Sequence, residues 1–247
     1  MTVELGRPHR HLRVTDSTNE RAKELAISGA PGGLVVTADE QTAGRGRRGN
    51  AWFAPAGSCL LYSALVRPFA ADRSPLLPLA VPLAVCEAAE TVAPVRCRVK
   101  WPNDVWIDER KVAGVLVEAR PDEGWAVVGV GLNVAIAEGE FPPELRETAI
   151  SLLPIEADGG LPPGGAPSIR RALVALNGAL GRWLEAGDDE VLSAYRARDA
   201  LRGRRISWDG GEGVVEEIDE RGHLVVEKGD GERVALGAGE VHLAIES

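Results

Sequence analysis

The spacing of apolar residues changes period along the chain, and the changes mark out its elements. Residues 34–38 (LVVTA) and 59–66 (CLLYSALV) are short unbroken apolar runs bounded by turn residues, which predicts strands buried on both faces. Residues 76–92 are mostly Leu, Ala and Val, too long for a strand, and predict a buried helix with Pro78 and Pro82 in its first turns. Residues 105–108, a turn at Glu109-Arg110 and residues 111–119 (KVAGVLVEA) read as a hairpin, with Lys111 at the first residue of its second strand. Residues 125–134 (WAVVGVGLNV) predict a further strand. Gly129 and Gly131 lie two apart in it, hence on one face, and leave a slot for a ligand, another backbone or tight packing.

Polar signals set the remaining boundaries. Ser17 with Glu20 three residues on forms a capping-box pattern, predicting a helix to about Ser28 with Ala22, Leu25 and Ala26 inward and Gly29 and Pro31 as its stop. Residues 138–165, rich in Pro, Gly and Glu, read as a surface connection with a strand-like piece at 150–153. Residues 168–185 and 188–201 predict two helices, the first with Leu173, Leu176, Leu180 and Leu184 on one face. Beyond Arg202 the period drops to two: residues 205–208, 213–218, 223–227, 233–236 and 241–245 alternate with Gly and Asp turns, as in a small antiparallel barrel. The expected division is residues 1–201 and 202–247.

Composition narrows the function. A net charge of -9, from 37 acidic against 28 basic residues, speaks against broad contact with nucleic acid or an anionic membrane. The longest apolar segment, residues 76–85, is too short to span a bilayer, and the start MTVELGRPHRH has no apolar targeting core. Three cysteines with no C-x-x-C pair (Cys59, Cys86, Cys97) fit a reducing cytoplasm. His9, His11, His223 and His242 have no cysteine partners at ligand spacing, so no metal site is expected.

Against this acidic background, residues 41–52 (QTAGRGRRGNAW) stand out. Arg45, Arg47 and Arg48 alternate with Gly44, Gly46 and Gly49, and no carboxylate occurs from Gln41 to Ala71. Such a loop is a cationic clamp for a small polyanion, strung between two core strands. The glycines match G-x-G-x-x-G in letters only, because Asn50, Pro55 and Gly57 leave no room for the helix a dinucleotide site requires. Taken alone, the cluster reads better as a solvated basic turn, and the segments downstream overturn that reading.

The segments DSTNE, QTAGRGRRGNAW, KWPNDVWID, KVAGVLVE and VGVGLNV, in this order between Thr15 and Val134, resemble the biotin protein ligase family. The resemblance implies an α/β (α+β) fold: a mixed-sheet catalytic domain like that of class II aminoacyl-tRNA synthetases, then a small SH3-like β-barrel. It implies a ligase that joins biotin to ATP as biotinyl-5′-AMP and passes it to a lysine of the biotin carboxyl carrier domain of acetyl-CoA carboxylase, with Mg²⁺. The first motif begins at Asp16, so a form without the helix-turn-helix repressor domain is expected.

By similarity, Ser17, Thr18 and Asn19 line the biotin pocket and Gln41 reaches the biotin end of the ligand. Arg45, Gly46 and Arg47, with Gly44 and Arg48 in the same loop, hold the biotin carboxylate and adenylate phosphate, and Lys111 meets the reacting oxygens. Gly114, Leu116, Gly129 and Gly131 shape the ring walls, while Trp52, Asn103, Asp104 and Asn133 support the nucleotide side. Asn50 departs from the pattern, since many members carry a basic residue there. A lipoate or octanoate ligase of the same fold, a nucleic-acid contact and a binding protein without turnover are the rival readings. An exposed sheet edge is left open to a homodimer or to the carrier.

Overall fold

Strand β3 (Cys59–Val66) is buried along its whole length, because both faces of the sheet around it are covered. Its alternation assigns the two faces. Leu60, Tyr62, Ala64 and Val66 join the main core under helices α2 (Leu77–Val92) and α3 (Ile169–Glu185), whereas Leu65 faces helix α1 (Thr18–Ile27). The computed structural model describes residues 4–69, 75–153, 168–237 and 241–243.

The strands β1 (His9–Thr15), β2 (Val35–Gln41), β3, β4 (Arg98–Lys100), β5 (Asp104–Ile107), β6 (Arg110–Arg120) and β7 (Trp125–Asn133) form one sheet in the order β1-β2-β3-β7-β6-β5-β4. Only β1 and β2 run parallel, so the sheet is mixed, as expected. Helix α4 (Asp188–Arg198) leads to a second sheet of strands β8 (Arg205–Trp208), β9 (Gly211–Ile218), β10 (Leu224–Glu227), β11 (Arg233–Leu236) and β12 (His242–Leu243). It is antiparallel, in the order β11-β10-β9-β8-β12.

Four features differ from the sequence reading. Strand β1 carries no apolar pattern, because it is a sheet edge whose His9, Arg10, His11 and Arg13 are exposed. The β5–β6 turn falls at Asp108-Glu109, both with positive φ (47° and 64°), as a two-residue hairpin requires. The capping box does not form: Ser17 caps α1 by its backbone alone, while Asp16 accepts from the Ser17 N–H at 2.6 Å and Glu20 turns to Lys23. Residues 150–153 form no strand: the strand-like pairing is an isolated bridge of Ala149 to Lys111, and Ile150 N–H then bonds Lys111 O and Leu152 N–H bonds Asn133 O. Parts of the expected 138–165 connection and of the last strand lie outside the described residues. Among the described residues no helix is long and apolar enough to cross a membrane.

The two sheets are tied at named points. The Trp101 indole N–H donates to Gly222 O at 3.0 Å, and Arg196 grips Ile218 O through Nε and Nη2 at 2.8 and 2.7 Å. Trp101 immediately precedes Pro102, Asn103 and Asp104, so the second sheet holds this strap from behind.

Candidate active-site cleft

Alternation along β7 places the site. Trp125 and Val127 face α1, and the next positions on that face are Gly129 and Gly131. The slot they leave is filled. A Cβ at Gly129 would lie 2.2 Å from Asn19 Oδ1, and one at Gly131 would lie 2.4 Å from Trp52 Cε2. Gly114 on the neighbouring β6 meets the same indole, and a Cβ there would lie 3.2 Å from Trp52 Cζ3. Three bare backbones thus let the start of α1 and one indole settle onto the sheet.

Around this slot one cleft collects Ser17, Thr18, Asn19, Gln41, Arg45, Gly46, Arg47, Arg48, Trp52, Asn103, Asp104, Lys111, Gly114, Leu116, Gly129 and Gly131. Gly44 and Asn133 stand apart from it. Gly44 packs on the Gln41 side chain, and the buried Asn133 donates from Nδ2 to Ile150 O at 3.0 Å. The cleft also takes in Lys100, Asn50 and, from the second sheet's side, Val241. Lys100 was legible as the neighbour of the Trp-Pro-Asn-Asp run; nothing local marks Val241.

The closed end is rich in acceptors. Gln41 Oε1 accepts from Thr18 N–H at 2.7 Å and lies 3.0 Å from Thr18 Oγ1. Behind the lining residues, Ser63 Oγ, fully buried on β3, lies 2.8 Å from Thr18 Oγ1 and 2.5 Å from Asn19 Oδ1. Asn19 Nδ2 donates to Glu118 Oε2 at 2.9 Å, which fixes its Oδ1 toward Ser63. Two hydroxyl protons serve three oxygen–oxygen contacts here, so the patch has more lone pairs than protons and suits a ligand that brings N–H groups. Ser63 escaped the sequence reading because a lone serine in an apolar strand carries no signal.

The open end is cationic. Lys111 Nζ lies 2.7 Å from Asp104 Oδ1 and 5.6 Å from the Trp52 ring centroid. Arg47 Nη1 donates to Asn103 Oδ1 at 3.2 Å, while Asn103 Nδ2 donates to Val115 O at 2.7 Å. Arg48 reaches toward Asp209 at 3.8 Å, and Arg45 pairs with Glu20. Backbone bonds Gly46 N–H to Asn50 O (2.7 Å) and Trp52 N–H to Gly44 O (3.0 Å) close the arginine loop on itself. Residues 47–49 make one 3-10 turn with Arg48 at φ 55°, so no helix follows the glycines.

Two charges flank the closed end. Burial is the largest single influence on Lys23 and Glu118 and works against their charged forms. Their mutual bond, together with the Lys23–Glu20 and Glu118–Asn19 bonds and the neighbouring charges, outweighs it, holding the Lys23 ammonium above and the Glu118 carboxyl below their usual ranges.

The Trp52 indole nitrogen is a buried donor without a hydrogen-bond partner. The cleft holds about 140 Å³, less than the several hundred that a ligand of drug size fills. Among the described residues no group of three His, Cys, Asp or Glu is placed to hold a metal ion.

Fold and cleft together define a mixed-sheet α/β protein with a second antiparallel sheet, in which a cationic loop closes on an acceptor-rich slot. The chain belongs to the biotin/lipoate A/B protein ligase family, whose sequence profile matches residues 11–134. It is 36% identical over 239 residues to the biotin–[acetyl-CoA-carboxylase] ligase of Mycobacterium tuberculosis, covering 92% of this chain and 85% of that one. It is 38% identical over 143 residues to the bifunctional ligase/repressor BirA of Bacillus subtilis, covering 56% of this chain and 44% of that one. It therefore spans less than half the length of that relative. Among solved structures, the biotin protein ligase from Aquifex aeolicus in complex with biotin and ATP superposes with a TM-score of 0.79 at 28% identity, covering 96% of this chain and 99% of that one.

Proposed function

We propose that this chain is an ATP-dependent biotin–protein ligase. The observation that carries the reading is the meeting, in one cleft, of an acceptor-rich slot with Arg45, Arg47 and Lys111. A ureido group brings two N–H donors to such a slot, whereas the dithiolane of lipoate and the tail of octanoate bring none. The slot thus favours biotin within a family that handles both kinds of acid.

In the first step the biotin carboxylate oxygen attacks the α-phosphorus of ATP, the bond to the β-phosphate breaks, and pyrophosphate leaves. Two anions must meet, so Arg45, Arg47 and Lys111 offset their repulsion, each contributing about 3 kcal/mol at the barrier. Asn103 aims Arg47 and Asp104 aims Lys111. Trp52 N–H meets a ligand oxygen. The described residues do not fit a resident metal, and Mg²⁺ comes as the counter-ion of ATP.

In the second step a deprotonated lysine amine of the carrier attacks the mixed anhydride and AMP leaves, forming an amide. Asp104 is the one carboxylate among the cleft-lining side chains, and it already accepts from Lys111. Water would hydrolyse the anhydride, so the loop that admits ATP must close again over it.

We assign biotin and ATP binding to residues 1–201 and a small barrel domain to residues 202–247, whose Gly222 carbonyl accepts from Trp101 behind the Trp101–Asp104 strap. The partner is the carrier domain of acetyl-CoA carboxylase, met in the cytoplasm, with a homodimer through a free sheet edge as a further assembly. The test is biotin-dependent exchange of labelled pyrophosphate into ATP, with lipoate in parallel. Exchange with biotin alone is expected; exchange with lipoate alone, or with neither acid, rejects the proposal.

A further inference from the structure

Arg45 is a cleft cation that already has an anionic partner. Its Nη2 donates to Glu20 Oε1, and the same oxygen accepts from Lys23 Nζ at 2.8 Å. Lys23 Nζ also donates to Glu118 Oε1 at 2.8 Å, and the other Glu118 oxygen accepts from Asn19 Nδ2. Charges alternate from the loop to the closed end of the slot: Arg45, Glu20, Lys23, Glu118, then the Asn19 amide. Glu20 is not a lining residue of the cleft and makes no capping contact, so the helix start does not account for its placement.

We propose that Glu20 is an internal competitor for the substrate carboxylate. In the empty protein it occupies the Arg45 guanidinium; an entering acid displaces it, and Glu20 falls back on Lys23. The inference rests on the reading of Arg45 as a partner of the biotin carboxylate. It makes Glu20 a residue that sets affinity for acids while leaving affinity for uncharged analogues alone. Lys23 matters because it keeps the displaced carboxylate paired, which makes displacement easy.

The contact is partly solvated, Arg45 being 52% exposed and Glu20 29%, so the expected effects are modest. Removing such a pair should change binding by about two- to fivefold. Calorimetry on the full chain would compare biotin with its uncharged amide, biotinamide, in the parent, Glu20→Gln, Lys23→Gln and Arg45→Ala. Glu20→Gln should tighten biotin two- to fivefold and leave biotinamide unchanged. Lys23→Gln, which removes the fall-back partner, should lower the ratio of biotin to biotinamide affinity.

Equal shifts for both ligands in Glu20→Gln, or no gain for biotin, would overturn the proposal. The Arg45→Ala arm separates the two layers of the argument. If it fails to lower biotin affinity relative to biotinamide, the carboxylate reading of Arg45 falls, and the competitor goes with it. If it does lower it while Glu20→Gln changes nothing, only the competitor falls.

Discussion

Replacing Lys111 by alanine separates chemistry from folding, because the structure assigns the two effects different sizes. The Lys111–Asp104 pair is partly solvated, at 34% and 20% exposure, so its loss costs about 1 kcal/mol or less of stability. For a chain of this length that is a fall of about 2–4 °C in melting temperature. In the proposed adenylation the same ammonium offsets charge gathered between a carboxylate and a phosphate, where one missing donor costs about 3 kcal/mol. Biotin-dependent pyrophosphate exchange should therefore fall by about 10²- to 10³-fold while the melting curve scarcely moves. The loss should sit in kcat, with the KM for biotin little changed, since the Thr18, Asn19, Gln41 and Ser63 bonds of the acceptor patch do not involve Lys111. Lys111→Arg should recover part of the rate, its planar fork keeping the charge but displacing it from the Nζ position. Exchange by Lys111→Ala within threefold of the parent would refute the role, as would a loss matched by unfolding.

Three further outcomes follow from the same geometry. Gly131→Ala places a methyl 2.4 Å from the Trp52 indole and must expel it, so biotin affinity should drop at least tenfold by calorimetry; an unchanged affinity would mean that the indole does not define the bound site. Amide hydrogen exchange over residues 44–50 should be fast without ligand and strongly slowed by biotin and ATP, because the cleft as it stands is too small for both; equal exchange in the two states would remove the gating role of the loop. Burial raises the Asp199 carboxyl above its usual range, the backbone N–H groups of Leu201 and Arg202 opposing. A carboxylate whose folded pKa is raised costs stability once pH rises through its unfolded value near 4, so Asp199→Asn should melt higher than the parent at pH 7 and converge with it below about pH 3.5. A gap of equal size at both pH values would count against that cause.

Much of the fold was legible because the central strands are covered on both faces. Unbroken runs such as that of β3 admit few other readings, and the helices α2 and α3 followed from length and from Leu176 and Leu180. Strand β1 was not legible, since an edge exposed to water imposes no apolar pattern on HRHLRVT. The Ser17–Glu20 spacing misled for a different reason. The pattern reports a capacity for capping, but Glu20 has stronger partners in Lys23 and Arg45, and a charged partner outcompetes a backbone N–H.

At the site, residue type and spacing gave the chemistry but not the joins. Arg47 and Asn103 are 56 positions apart, Ser63 and Asn19 are 44 apart, and Trp101 and Gly222 are 121 apart. Each bond depends on a fold that brings distant segments together, and no local pattern can announce it. The Trp101–Gly222 bond shows what this means for function. Trp101 is buried, and its N–H has left water for a single carbonyl on the second sheet, so the bond fixes the strap that carries Asn103 and Asp104. Those two side chains in turn aim Arg47 and Lys111. The second sheet therefore bears on Arg47 and Lys111 through the strap, besides lending Val241 to the cleft wall. A change that moves Gly222 should be felt first at Lys111, whereas the acceptor-rich slot, built from α1, β2 and β3, should keep its shape.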